Sequence, residues 1–386
     1  MTLVDKVSYI KSISTKNFKS IKDSTVELSP GINILIGKNA SGKSIFFESI
    51  QEISRVNKVA SRIGYRFSSS EITYITEGKN IITLSASRNS VRELKQDKSD
   101  ENDGDLLNLN IKINNKSVPL EKKSNLRSIR RTIYADYKID ISLPKYVQFN
   151  LPTDLTFVST PGNLQFTKDD ESDSYFNFEL INGRLATDMI HNLELEIESN
   201  TRKHTKSSVS KLLVFDKRIK NQLKKYSPIA DIRFSPNINL YKAPKHLKIE
   251  NLYIEFKVDN SWMPWSYLSD GTKRLFYLIY ELVNSNSSCI LIEEPELGIH
   301  PHQYHKILDF LKEESENKQI IISTHSPQTL NIIPNDELNR IIISKYDSKT
   351  GSTYRHLTKA EIAKANKYTK EVGFLSDYWL HSDLEK

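Results

Sequence analysis

The sequence has a single cysteine, Cys289, among 386 residues, and it contains no long apolar run. One cysteine excludes an intrachain disulfide and suits a reducing compartment. No window approaches the roughly 18 consecutive apolar residues of a membrane-spanning helix. The first residues, MTLVDKVSYIKS, carry charges where a signal peptide needs an apolar stretch. We therefore expect a cytoplasmic protein that is neither secreted nor inserted in a membrane.

The sequence also lacks a large excess of charge of one sign. It has 55 Lys and Arg against 48 Asp and Glu, a net charge of +7, which does not by itself indicate nucleic acid. The basic residues are unevenly placed, because residues 201–225 carry nine of them and one acid. A second cluster, 116–131, has six bases and one acid, whereas the acidic stretch 97–105 is predicted to be an exposed loop.

Sustained heptads are absent too, so long coiled-coil arms are not expected. Instead, both ends of the chain alternate apolar strands with amphipathic helices. This alternation predicts an α/β fold with a mostly parallel sheet covered on both faces. The predicted elements are strands at 9–13, 21–28, 32–36, 289–292 and 319–323, helices at 44–56, 272–283 and 302–314, and a hairpin of 252–258 with 261–265.

An eight-residue loop between the strand 32–36 and the helix 44–56 matches the phosphate-binding pattern in full. Glycines let backbone N–H groups wrap phosphate oxygens, and the helix start adds a positive dipole end. Lys43 would reach the β- and γ-phosphates of a nucleotide, and Ser44 would ligate Mg²⁺. A glycine turn with a solvated lysine is the alternative, and the position between strand and helix disfavours it. The loop consists of Gly37, Lys38, Asn39, Ala40, Ser41, Gly42, Lys43 and Ser44.

Paired carboxylates follow the apolar strand 289–292. Such a strand end can bring acid groups beside a bound Mg-nucleotide. Glu293 would then hold the metal, and Glu294 would polarise the attacking water. Taken alone, the pair could equally be two solvated acids at the end of a strand.

Two further segments have both a structural and a functional interpretation. Ser269, Asp270 and Gly271 open the helix 272–283, where Ser269 or Asp270 could serve as an N-cap or the helix start could bind an anion. His325 follows the buried strand 319–323. It could be structural or exposed, or it could reach the γ-phosphate from the same sheet edge as Glu294.

The segments GKNASGKS, LSDGTKR, ILIEEPELGIHP and STHSP resemble, in this order, the four conserved blocks of ABC-type ATPases. The chain is most similar to the SMC/RecF/OLD-like group, of the AAA_15 or AAA_21 type. The resemblance implies a P-loop head with an antiparallel β subdomain and an inserted mixed or helical lobe. It covers about the first 60 and last 150 residues, and it divides the chain into 1–90 and 236–386 as head and 91–235 as the lobe.

The resemblance also implies roles for individual residues. Two heads would face each other, and ATP bound at Lys43 would contact Ser269 and Gly271 of the second copy. Glu294 would be the catalytic carboxylate and His325 the switch histidine, while 298–301 would face the dimer partner. Glu293 departs from the pattern, in which Asp is usual. Gln148 and Gln165 are both candidates for the glutamine of the Q-loop.

The spacing of the motifs disfavours two related classes. Lys43 and Ser269 are 226 residues apart, much farther than in transporter subunits. The 61 residues after His325 are too few for the TOPRIM nuclease domain of OLD-like proteins. We therefore predict no nuclease in this chain and a separate polypeptide as the effector.

The remaining candidates carry less chemistry. Cys289 is expected to be a buried core thiol, and zinc binding by His300, His302 and His305 is disfavoured because no thiols or well-spaced carboxylates accompany them. A basic helix is predicted over 208–226. Its exposed side could be a solvated face, a nucleic-acid contact or a docking site for an acidic partner. The residues chosen for this patch are Lys217, Arg218, Lys224 and Lys225.

The sequence as a whole predicts an ATP- and Mg²⁺-dependent ATPase that forms a homodimer or a higher oligomer. The favoured role is the sensor or regulatory ATPase of a prokaryotic anti-phage defence system that controls a separate effector. One alternative is a RecF-like DNA-repair or chromosome-maintenance ATPase. The other is a scaffold that ATP stabilises with little turnover.

Overall fold

A computed structural model describes residues 5–54, 68–88, 107–120, 126–141, 144–147, 162–168, 175–180, 209–211, 215–243, 246–382 and 384. The chain divides into two compact units. The phosphate-loop unit comprises Met1–Gln148, Ser285–Leu297 and Leu308–Lys386, and the signature unit comprises Phe149–Asn284 and Gly298–Ile307. The predicted division into 1–90, 91–235 and 236–386 stays a prediction.

The strands, in chain order, are β1 (Asp5–Phe18), β2 (Ile21–Glu27), β3 (Ile32–Ile36), β4 (Ser69–Thr76), β5 (Ile81–Arg88), β6 (Leu107–Ile113), β7 (Lys116–Ser117), β8 (Ile139–Asp140), β9 (Lys145–Val147), β10 (Gly162–Lys168), β11 (Tyr175–Leu180), β12 (Asp231–Phe234), β13 (Asn239–Ala243), β14 (His246–Leu252), β15 (Ile254–Val258), β16 (Ser261–Pro264), β17 (Cys289–Glu293), β18 (Gln319–Thr324), β19 (Ile341–Asp347) and β20 (Gly351–His356). The α-helices are α1 (Lys43–Ser54), α2 (Leu126–Tyr137), α3 (Lys217–Tyr226), α4 (Asp270–Asn284), α5 (Pro301–Glu314), α6 (Lys359–Glu371) and α7 (Leu375–His381). Short 3₁₀ helices span Trp265–Tyr267, Pro327–Ile332 and Leu338–Arg340. No helix in these ranges combines the length and the apolar character needed to cross a bilayer.

One large mixed sheet organises the phosphate-loop unit. Its strand order is β7-β6-β5-β4-β1-β2-β20-β19-β3-β18-β17-β9, with β8 beside β1. The strands β19, β3, β18, β17 and β9 run parallel, whereas those from β7 to β20 pair antiparallel. All five residues of β3 and all six of β18 are buried, as expected for parallel strands covered on both faces. The predicted α/β fold is confirmed, but the large sheet is mixed, whereas a mostly parallel sheet was predicted.

The register of the parallel strands brings distant parts of the chain to one edge. Thr324 lies opposite Ile36, and Ser323 lies opposite Glu293. The loop after β3, the acids at the end of β17 and the histidine after β18 therefore emerge together. Ligands of open α/β sheets bind at this carboxyl edge.

The signature unit contains two small antiparallel sheets, β11-β10-β14-β13 and β12-β15-β16. The predicted hairpin is confirmed, because β15 pairs with β16 around Asp259 and Asn260, whose positive φ angles of 48° and 65° suit a tight turn. The core of the signature unit includes Trp265, whose ring centroid lies 5.7 Å from that of Phe276 on α4. Helix α3 packs on α4 in the same unit.

The prediction of one continuous helix over 208–226 is wrong. Residues 209–211 are helical, but Phe215 and Asp216 are not, and α3 begins at Lys217. The Asp216 side chain accepts a hydrogen bond of 2.6 Å from the backbone N–H of Arg218. A short acidic side chain that accepts a hydrogen bond from a nearby backbone N–H stabilises the N-terminus of a helix. Asp216 therefore favours a new helix that begins at Lys217 over one continuous helix.

Helix α7 docks on the 3₁₀ helix Pro327–Ile332, which follows β18. Leu375 and Trp379 of α7 are buried. Ser376 exchanges two hydrogen bonds with the side chain of Asn331, at 3.0 and 3.1 Å. Because Asn331 lies in the 3₁₀ helix after His325, α7 braces the region that carries the predicted switch histidine.

Candidate nucleotide-binding site

The two ends of the phosphate loop are linked by hydrogen bonds from the side chain of its own lysine. Lys43 Nζ donates to the carbonyl oxygens of Gly37 at 2.8 Å and Lys38 at 3.0 Å. Gly42 has a φ of 103°, and a Cβ there would also collide with the Ser352 hydroxyl. Only glycine fits this position, which explains the second glycine of the motif.

Hydroxyl groups from the β19–β20 hairpin brace the loop from behind. Ser344 Oγ donates to the carbonyl of Ser41 at 2.9 Å, and the Tyr354 hydroxyl donates to that of Gly42 at 2.7 Å. The Ser41 hydroxyl is itself buried and has no hydrogen-bond partner among the described residues. A buried donor without an acceptor is costly, and a phosphate oxygen in the loop would satisfy it. The loop therefore fits a phosphate group.

An open cavity of about 530 Å³ adjoins the loop, within the size range of ligand pockets. It lies inside the phosphate-loop unit and includes both the helix start and the second acid of the pair. Its lining residues are Ser20, Asn39, Ala40, Gly42, Lys43, Ser44, Ile45, Glu294 and Tyr346.

Oxygen ligands meet at the mouth of this loop. Ser44 Oγ donates a hydrogen bond to one carboxylate oxygen of Glu293, and the Tyr146 hydroxyl donates to the other. Mg²⁺ prefers oxygen ligands, such as those of hydroxyl and carboxylate groups, so these residues fit the predicted metal. Burial, the hydrogen bond to Glu293 and the negative charges nearby raise the pKa of Tyr146, which keeps its hydroxyl a donor.

The predicted water-polarising acid and the predicted switch histidine lie together. His325 Nδ1 is 3.6 Å from a carboxylate oxygen of Glu294. Glu294 has a positive φ of 44°, a backbone strain that is typical of functional sites. Its N–H donates to the carbonyl of Ser323 at 2.8 Å, so the end of β18 holds this conformation.

Two contacts at this edge escaped the sequence analysis. One is Tyr146 against Glu293, since β9 has three residues and no readable pattern. The other is Glu296, which accepts from the backbone N–H of His325 at 3.0 Å and from the Thr324 hydroxyl at 2.6 Å. Its place three residues after Glu293 in the acidic run was visible, but nothing in the sequence indicated that it would hold the histidine segment.

Ser269, Asp270 and Gly271, here called the signature segment, open α4 in the signature unit. Ser269 Oγ accepts from the N–H of Thr272 at 3.2 Å, so it caps the helix. Asp270 is 77% exposed and lies 3.3 Å from Lys273. A Cβ on Gly271 would lie 3.1 Å from the carbonyl oxygen of Gly298, which makes this a close backbone approach. The N-cap interpretation describes these contacts, and an additional anion contact stays a prediction.

The other candidates are placed as follows. Cys289 is buried, and burial raises the pKa of its thiol, which confirms a core role. The rings of His300 and His302 stack with centroids 5.4 Å apart. Gln148 lies outside the described residues, directly after β9, and Gln165 lies on β10 of the signature unit.

Comparison with known families gives one match that covers most of the chain. Residues 32–331 match the family AAA_21, described as "AAA domain, putative AbiEii toxin, Type IV TA system". A short segment is similar to the DNA replication and repair protein RecF of Clostridium botulinum (strain Loch Maree / Type A3), with 46% identity over 55 residues. RecF of Streptococcus agalactiae (serotype Ia) is 45% identical over 42 residues, or 11% of each chain. The C. botulinum match spans 13% of this chain and 15% of the length of that relative.

Solved structures share the fold across nearly the whole chain. The SmcHead bound to the C-winged helix domain of ScpA has a TM-score of 0.53 at 16% identity and covers 91% of this chain and 99% of its own. An Smc head domain with an extended coiled coil, bound to the C-terminal domain of ScpA derived from Pyrococcus furiosus, has a TM-score of 0.54 at 16% identity. It covers 94% of this chain and 99% of its own. At this identity the likeness establishes the fold alone.

Proposed function

This chain belongs to the AAA_21 family and has the head fold of SMC/RecF-like ABC-type ATPases, and from this premise we propose that it hydrolyses ATP with Mg²⁺. The observation that carries the proposal is the hydrogen bond between Ser44 of the phosphate loop and Glu293 of β17, which are 249 positions apart in the sequence. An oxygen pair of this kind at the mouth of a phosphate loop supports a role in binding a metal-bound triphosphate.

Each residue of the edge then has a role. The loop N–H groups and Lys43 bind the phosphates, while Ser44 and Glu293 would hold Mg²⁺, which would supply positive charge to the triphosphate. Glu294 accepts a proton from the attacking water. His325, beside Glu294, contacts the γ-phosphate. Alignment of the attacking water and electrostatic stabilisation of the phosphates are the main contributions of the protein.

The second half of the site comes from another copy of the chain. We propose that Ser269, Asp270 and Gly271 at the start of α4 meet the nucleotide bound by a partner, so that ATP drives dimerisation or a higher assembly. The exposed helix start suits an anion, since its N–H groups and dipole attract negative charge.

The output of this cycle is control of a separate effector protein in a prokaryotic anti-phage defence system, in the cytoplasm. The family description, with its toxin and type IV TA system, supports this role. If nucleotide turnover changes the assembly of this chain, a partner protein that binds only one of the two assembly states would convert that change into an effect.

The test is ATP turnover together with particle mass, with and without ATP, for wild type and Glu294→Gln. The exposed carboxylate of Glu27 offers a matched control, Glu27→Gln. Loss of a catalytic base lowers turnover by about 10²–10⁴-fold. We expect that loss, together with a larger ATP-trapped particle, in Glu294→Gln alone. Unchanged turnover with one mass in every state would overturn the mechanism and favour an ATP-stabilised scaffold.

A second candidate function is an ATPase that acts directly on DNA. It is favoured by the segment similar to RecF and by the basic side of α3, where Lys217, Arg218, Lys224 and Lys225 are exposed. The four residues lie on a face opposite the buried Ile219 and Leu223.

Salt-dependent DNA binding discriminates the two functions. Replacing the four basic residues of α3 by Gln would lower the slope of log affinity against log salt by up to about 0.9 for each DNA phosphate that is no longer neutralised. A matched control replaces four exposed lysines of α6 by Gln, namely Lys359, Lys364, Lys367 and Lys370. An equal effect of both sets would indicate non-specific charge, and weaker binding with the α3 set alone would favour the DNA-acting role.

A further inference from the structure

Both carboxylate oxygens of Glu293 are held by hydroxyl groups from different elements. Ser44 at the start of α1 donates to one oxygen, and Tyr146 on β9 donates to the other. All three residues belong to the phosphate-loop unit. The loop motif accounts for the Ser44 contact, whereas no motif accounts for Tyr146.

The tyrosine is itself fixed in place. It sits opposite Leu291 in the parallel register of β9 with β17, two residues before Glu293. Its ring meets the buried Phe47 of α1 edge-on, with centroids 5.8 Å apart. A ring held by a strand and a helix presents its hydroxyl in one direction, which is what a positioning group requires.

A glutamate at this point needs such a group. Its side chain has more rotatable bonds than that of aspartate, so more conformational freedom is lost when its carboxylate is held in one orientation. A hydrogen bond from a fixed phenol offsets that loss, and hydrogen bonds to a charged acceptor are the stronger kind. The second oxygen then stays directed towards Ser44 and the phosphate loop.

We propose that Tyr146 is a positioning residue that orients Glu293 towards the metal of the nucleotide, and that this contact sets the metal affinity of the site. The proposal rests on the proposed function. It predicts an effect of Tyr146 on metal binding that passes through Glu293. A tyrosine that merely packs at the edge strand of the sheet would have no such dependence.

The experiment measures Mn²⁺ binding to the protein with ADP, from the loss of the free Mn²⁺ signal in electron paramagnetic resonance. The variants are Tyr146→Phe, Glu293→Asp and the double variant. Tyr146→Phe keeps the ring against Phe47 and removes the hydroxyl. Glu293→Asp withdraws the carboxylate by one methylene, so that the phenol no longer reaches it. Tyr74→Phe is the matched control, because it removes the hydroxyl of a buried tyrosine of the same unit, one that contacts Ser54.

Loss of a group that orients a metal ligand weakens metal binding by about tenfold or more, so we expect about tenfold for Tyr146→Phe. Tyr74→Phe should match wild type. In the Glu293→Asp background, Tyr146→Phe should change Mn²⁺ affinity by less than about twofold, since its partner is already out of reach. Binding of ADP without metal should be the same in wild type and Tyr146→Phe.

Two results would overturn the proposal. One is wild-type Mn²⁺ affinity in Tyr146→Phe. The other is an equal weakening by Tyr146→Phe in the wild-type and Glu293→Asp backgrounds, which would assign Tyr146 to packing alone. Failure of the proposed function looks different, because wild type itself would then bind neither ADP nor Mn²⁺ with ADP.

Discussion

The phosphate loop and the signature segment both open a helix, but their polar groups find partners at different distances along the chain. Around the loop, Ser44, Ser41 and Gly42 bond to residues 249, 303 and 312 positions away. At the signature, Ser269 and Asp270 bond to residues three positions away. The loop is thus assembled by the fold of its unit, whereas these two side chains of the signature segment bond within their own helix start. This contrast supports the proposed site shared between two copies.

The largest expected effect comes from breaking the loop. Lys43→Ala removes the amine that donates to the carbonyl groups of Gly37 and Lys38 and that would bind phosphate. Loss of one partner of a buried charged contact costs about 2–5 kcal/mol, so we expect ATP binding to weaken by that amount. Titration calorimetry measures it. The control is Lys16→Ala, an exposed lysine paired with Asp23 at 3.0 Å in the same unit. If Lys43→Ala bound ATP as tightly as wild type, the loop would not be part of the nucleotide site.

An intermediate effect is expected at the signature. Ser269→Ala should lower turnover by tenfold or more, because a hydrogen bond to a charged group is worth about 1.5–3 kcal/mol. ATP binding by a single, undimerised copy should stay as in wild type. Thr358→Ala is the matched control, since Thr358 caps α6 in the same way. Each variant should lose about 1 kcal/mol of stability. If both variants kept full turnover, Ser269 would be a cap alone.

The smallest effect concerns a helix start for which we propose no ligand. Glu361 of α6 bonds to Arg355 through two contacts of 2.8 and 2.9 Å, which together with the N–H of Thr358 lower its pKa from 4.5 to about 2. The lowered pKa stabilises the fold above pH 4.5, and this stabilisation is lost as the pH falls towards 2.

For this partly exposed pair we expect about 1 kcal/mol. The measurement is the difference in unfolding free energy between wild type and Glu361→Gln from pH 7 downwards. It should be largest near neutral pH and shrink below about pH 4.5. A difference that is independent of pH would mean that the Arg355 contact is not formed in solution.

Much of the nucleotide site could be predicted from the sequence because its parts are local patterns. A glycine-bounded loop after INILI and an acidic pair after CILI each carry their signal within a few residues. The helix around 208–226 shows the limit of such patterns. Its apolar periodicity continues through Asp216, yet the side chain of that residue starts a new helix. Apolar periodicity alone could not show that the N-cap at Asp216 would be favoured over one continuous helix.

The sequence by itself determined which residues could bind phosphate and metal, and that the strands beside them would be buried, since residue type and spacing carry this information. The tertiary structure decided which distant groups support them: Tyr146 at Glu293, Glu296 at His325, and the β19–β20 hydroxyls behind the loop. These contacts depend on strand order and register. Neighbours in a sheet need not be neighbours in the chain, so only the folded arrangement brings a phenol from β9 to the carboxylate of β17.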